Sequence, residues 1–116
     1  MEPSIEDYFC YRTFLNDFYT YRKKQNPNYS YRVFSHKAGL KSSGHFKMVV
    51  ARDRNIGEKT LPMYIKGLGF KKKNERESFQ LLVRYDQCQD LSEKTKLFER
   101  IIELKESTGA ATLKAS

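Results

Sequence analysis

The sequence predicts an all-α domain, a compact bundle of five or six short helices that contains a helix-turn-helix of the repressor type. Three observations predict it. Apolar residues recur at spacings of three and four, and no stretch alternates convincingly with period two. Serine, asparagine and glycine fall where helices need caps and stops. The segment around Gly39 joins two short apolar-periodic stretches through a tight turn. At 116 residues the chain fits one core. The expected division is a helix-turn-helix domain over 1–106, with the motif proper at 30–56 and a C-terminal helical pair at 74–106; residues 107–116 read as a tail or linker start.

The first helix is expected from near Ser4, where Ser4 and Asp7 resemble a capping box. Its stripe runs through Tyr8, Tyr11, Phe14, Leu15, Phe18 and Tyr21, and Arg22-Lys23-Lys24 suit the negative end of its dipole. Asn26-Pro27-Asn28 stops it. A second helix is expected from Ser30 to Ala38, with Val33, Phe34 and Ala38 inside, ended by Gly39 in the left-handed conformation. A third, capped by Ser42 or Ser43, turns Phe46, Val49 and Val50 inward. Residues 52–57 form a loop. A fourth helix spans about Glu58–Leu68, with Pro62 in its first turn. Asn74 with Glu77 opens a fifth through Phe79, Leu82 and Val83, and Ser92 caps a sixth through Leu97, Phe98, Ile101 and Ile102.

Charge is unevenly placed. The formal total is +8, yet residues 1–26 are net neutral, residues 27–73 are net +9 and residues 74–116 are net −1. All of the excess overlies the predicted helix-turn-helix. A local excess of this kind suits a polyanion, and double-stranded DNA is the leading candidate.

In such a motif the second helix offers its N-terminal residues to the major groove. Lys41, Ser42, Ser43, Gly44, His45 and Lys47 are expected at its start and outer face. Backbone N–H groups there, with a serine hydroxyl, suit a phosphate, and Ser43, His45 and Lys47 are the candidates for base edges. Arg32, Lys37, Arg52, Arg54, Asn55 and Lys59 flank it and would grip the backbone. Six to eight phosphate contacts imply a slope of log affinity on log salt of roughly −5 to −7. The register is one residue out: His45 falls where an aliphatic residue is usual, six after Gly39. An extra turn residue around Lys41–Ser43 restores it.

Several runs carry a family resemblance in order: Tyr11-Arg12-Thr13-Phe14-Leu15-Asn16-Asp17-Phe18, Asn28-Tyr29-Ser30-Tyr31-Arg32, Ala38-Gly39-Leu40-Lys41-Ser42, Arg54-Asn55-Ile56, and Phe79-Gln80-Leu81-Leu82-Val83-Arg84-Tyr85. Over roughly residues 8–105 the chain resembles the N-terminal region of a large uncharacterised paralogous bacterial family expanded in Fibrobacter and Bdellovibrio. The resemblance implies a helix-turn-helix-like region and a regulatory role in transcription. Members usually carry a further C-terminal domain, which this sequence lacks, as an excised fragment or a short paralogue would.

Other chemistry is not expected. His36 and His45 have no cysteine at metal-ligand spacing, so neither a metal nor another cofactor is anticipated. Gly67-Leu68-Gly69 reads as a helix end and not as a phosphate loop. No nucleophile stands beside a base, so the chain reads as no enzyme. Cys10 and Cys88 read as reduced, partly buried thiols. No apolar run spans a bilayer and no secretory signal is visible, so the expected setting is cytoplasmic, without a membrane. Beside DNA, a homodimer and a protein partner are open. A protein-interaction module on the same scaffold is the competing reading, favoured by Met48-Val49-Val50 in a third helix poor in base-reading groups.

Overall fold

A computed structural model describes residues 2–108. Among them are six α-helices and one short 3-10 turn, and no strand. The helices are α1 (Tyr11–Gln25), α2 (Tyr31–Ala38), α3 (His45–Val50), α4 (Leu61–Leu68), α5 (Lys73–Gln87) and α6 (Leu91–Thr108).

The expected first helix is two pieces. Ile5–Asp7 form the 3-10 turn, the chain is extended at Tyr8 and Cys10, and α1 starts only at Tyr11. Ser4 makes no side-chain cap; its carbonyl takes the Asp7 N–H instead. The bend lets Ile5 bury against α5 while the Tyr8 hydroxyl donates to Asp17 at 2.6 Å. Tyr8 also meets the Phe14 ring edge-on at 5.3 Å.

The second helix follows its local signals. The Ser30 hydroxyl accepts the Val33 N–H at 3.2 Å, satisfying an N-terminal donor. Gly39, at φ +86°, ends α2: its N–H reaches the His36 carbonyl and the Leu40 N–H reaches Ser35. Val33 is not an inner residue. The buried arc of α2 is Phe34, Ser35 and Ala38, and Val33 lies outside it.

Later boundaries shift by a few residues. Residues 58–60 are a turn, so α4 starts at Leu61 with Pro62 in its first turn. The Glu75 carboxylate, not an Asn74–Glu77 pair, caps α5 by accepting the Lys72 N–H at 3.1 Å. Asp90 rather than Ser92 caps α6, accepting the Glu93 N–H at 2.9 Å. Ser107 and Thr108 complete α6, and the rest of the expected tail lies outside the described residues.

The core is aromatic. Tyr11, Phe14, Phe34, Phe46, Tyr64 and Phe79 are all fully buried. Phe34 and Phe46 cross edge-to-face at 4.7 Å, a geometry that rings prefer to direct stacking. Gly67 lets α4 press against α2: a Cβ there would lie 2.8 Å from Phe34 and 2.9 Å from Ala38. On the other side α6 packs on α5 through Ile101. Lys105 is buried as well. Its ammonium donates to the Glu6 carbonyl and lies 4.6 Å from the Phe9 ring centre, and burial holds it below its ordinary 10.5. Cys10 and Cys88 are both free and half-buried. Among the described residues no helix is long and apolar enough to cross a membrane.

Candidate nucleic-acid interface

The connection between α2 and α3 spans Gly39–Gly44. With α3 starting at His45, Phe46 and Val49 are 1% and 0% exposed. The Ser42 hydroxyl stiffens the turn by accepting the Gly44 N–H at 3.2 Å. Lys41, Ser42, Ser43, Lys47 and Met48 all face solvent.

His45 does not join them. It is buried, and its Nδ1 lies 2.7 Å from the Tyr64 hydroxyl on α4. Burial, with help from the Arg54 guanidinium, holds the imidazole below its ordinary 6.5. A first-turn position whose ring is packed between α3 and α4 cannot present that ring to a base edge, so His45 leaves the candidate set. It is a core residue that fixes where α3 begins.

The loop after α3 carries Arg52, Arg54 and Asn55. Arg52 ends α3 at φ +70°, in the left-handed region where glycine is usual. Its N–H reaches the Val49 carbonyl and the Asp53 N–H reaches Met48, the same double closure that Gly39 gives α2. From there two side chains hold the loop. Arg12, on α1 and 5% exposed, donates from Nη1 to the carbonyls of Val49 at 2.6 Å and Arg54 at 2.8 Å. Its Nη2 donates to Asn55 Oδ1 at 2.7 Å, and its Nε meets Asp86 of α5 at 3.2 Å. Gln87 then pairs with the backbone of Ile56 in both senses, accepting its N–H at 2.8 Å and donating to its carbonyl at 2.9 Å. The Tyr11 hydroxyl steadies that amide at 2.7 Å. One buried cation and one amide thus replace the regular hydrogen bonding that a loop lacks.

The sequence places Tyr11 in an apolar stripe but assigns no role to Arg12, Asp86 or Gln87. A faint signal exists: Arg12 stands three before Leu15 and seven before Tyr19, on the edge of the apolar stripe where a charge needs a partner.

The loop is held against the end of α3, because Arg12 Nη1 bonds the carbonyls of both Val49 and Arg54. Arg52 points to the start of α1, its Nη2 lying 3.7 Å from Cys10 Sγ. Burial pushes the Cys10 thiol up. Hydrogen bonds from the Thr13 hydroxyl and from the N–H groups of Thr13 and Arg12, with the Arg52 charge, outweigh this and leave it below its ordinary value. Arg32 and Lys59 are exposed on α2 and in the turn before α4. Lys37 is set apart. Its ammonium would lie 3.4 Å from a Cβ on Gly69, at the C-terminal end of α4 and away from the loop.

Among the described residues the ion pairs are Arg12–Asp86, Arg22–Glu2 and Arg100–Glu77. Arg32, Lys41, Lys47, Arg52, Arg54 and Lys59 are therefore exposed cations without a carboxylate partner there. The opposing acids in this part of the chain are Asp53 and Glu58. No protein-family model, curated protein or solved structure matches this chain.

Proposed function

We propose that the chain is a DNA-binding helix-turn-helix domain of a transcriptional regulator, of the Fibrobacter and Bdellovibrio type that its sequence resembles. It grips the backbone of duplex DNA with Arg32, Lys41, Lys47, Arg52, Arg54 and Lys59, with Ser42, Ser43 and Asn55 as polar contacts. The observation that carries the reading is the clamp on the loop after α3. Arg12 and Gln87 fix a segment that follows the end of α3 and whose exposed side chains include two arginines without a carboxylate partner among the described residues. A loop whose backbone is already fixed loses less freedom on meeting phosphates than a mobile one. Backbone binding is better supported than base reading, because His45 is turned in and the exposed groups of α3 itself are Lys47 and Met48.

Fluorescence anisotropy on a labelled duplex at several salt concentrations tests the reading. Six phosphate contacts give a slope of log affinity on log salt of roughly −5. Absence of binding at low salt, or binding indifferent to salt, removes the reading.

One observation favours a protein-interaction role instead. Phe9, Leu91 and Phe98 are large apolar side chains left exposed, and the rings of Phe9 and Phe98 lie 6.2 Å apart. A partner or a second copy covering this face would show as a concentration-dependent mass in light scattering.

A further inference from the structure

A second concentration of positive charge lies on the α5–α6 pair, and DNA binding by α3 and its loop does not use it. Lys73, Arg76 and Arg84 stand at helical spacing on one face of α5, and Arg100 joins them from α6. They line a groove of about 420 Å³ with Leu81 in its wall. One carboxylate, Glu77, enters it and is already held by Arg100 at 2.6 Å. Lys73, Arg76 and Arg84 have no carboxylate partner among the described residues. Arg76 has only a 3.4 Å bond to the Phe70 carbonyl.

The placement is electrostatically awkward. The N-terminus of α5 is the positive end of its dipole, where acidic side chains belong. Here Lys71, Lys72, Lys73 and Arg76 crowd that end, and the acid of the first turn, Glu75, is engaged with the Lys72 N–H. Lys73 and Arg76, three apart, also repel each other. An anion in the groove relieves both costs at once.

The size and spacing of the groove narrow the anion. A volume of about 420 Å³ lies in the range of small-ligand sites. Arg76 and Arg84 are about 12 Å apart along the helix axis, a span that suits a ligand with more than one anionic group. Guanidinium forks fit phosphate and carboxylate oxygens alike. We propose that the α5–α6 groove binds a small polyanion carrying at least two phosphate or carboxylate groups, gripped by Lys73 and Arg76 at one end, where Arg100 reaches Glu77, and by Arg84 at the other. None of the groove residues is among those proposed to grip DNA, so the two readings are tested separately.

Thermal melts of the full chain test this with tripolyphosphate and citrate as probes and sulfate at matched ionic strength as the control. The expected result is a saturable rise in Tm with tripolyphosphate, citrate or both, about 5 °C at ten times Kd, and no comparable rise with sulfate. Which probe acts separates a phosphate from a carboxylate ligand. Arg76→Gln/Arg84→Gln is expected to lose the rise while keeping the helical circular dichroism; if that pair does not fold, Arg84→Gln alone, at an exposed position, is expected to weaken the response at least threefold. Equal shifts from sulfate, or an undiminished shift in the variant that folds, overturn the proposal.

Discussion

Replacing Arg12 by methionine tests the loop clamp. The substitution keeps an apolar stem inside and deletes a guanidinium that makes three hydrogen bonds to the loop region and one ion pair to Asp86. Breaking a buried pair by removing one partner costs about 3–5 kcal/mol. Two features reduce that here. The Asp86 side chain is 26% exposed and can rehydrate, and the buried Val49 carbonyl keeps its bond from the Arg52 N–H. A loss of about 2–3 kcal/mol is therefore expected, a substantial share of a domain's stability. With a urea dependence of about 1.5 kcal/mol per molar, the unfolding midpoint falls by roughly 1.3–2 M. Asp86→Asn should lose only about 1 kcal/mol, because Arg12 keeps its three other acceptors. DNA affinity of folded Arg12→Met should also drop, although Arg12 itself is buried. A midpoint shift worth less than about 1 kcal/mol, or Asp86→Asn costing more than Arg12→Met, refutes the reasoning.

Three further outcomes follow from the same geometry. Gly67→Ala puts a methyl against Phe34 and Ala38 and should destabilise by about 1–3 kcal/mol in thermal melts, whereas Gly57→Ala, which meets nothing within 4 Å, should stay within about 0.5 kcal/mol. Arg52→Gly removes a side chain from a left-handed position and should raise stability by up to about 1 kcal/mol while weakening DNA binding; a loss of stability would show that the contact with Cys10 outweighs the backbone strain. His45 titrates below 6.5 in the fold and near 6.5 when unfolded, so the unfolded chain binds more protons in that window. Its contribution is therefore complete above pH 6.5 and lost as pH falls through and below that value. Urea midpoints between pH 5 and 7 should show this, and His45→Gln should flatten the slope.

The parts of this fold that were legible in the sequence rest on local chemistry. Ser30, Gly39 and the Phe46–Val49 spacing act within a turn or two, and each does what its residue type does anywhere. The break at Tyr8–Cys10 has no such marker. Helical spacing continues through it, and what bends the chain is Ile5 reaching α5 and Tyr8 reaching Asp17. His45 misled because its partner, Tyr64, lies nineteen residues on. The candidate interface divides in the same way. Clustered cations are visible as composition, but the clamp joins Arg12 to residues 37 to 74 positions away, and no local pattern reports that. Lys37 and the run Lys71–Lys73 count towards the same basic segment, yet they sit at or beyond the far end of α4 from the loop.

The most direct test is the salt dependence of duplex DNA binding, compared between the natural sequence and Lys41→Gln/Lys47→Gln/Arg54→Gln. Six phosphate contacts give a slope of roughly −5 for the natural sequence, and losing three brings it to roughly −3. No binding near 50 mM salt, or an unchanged slope in the triple variant, contradicts the account.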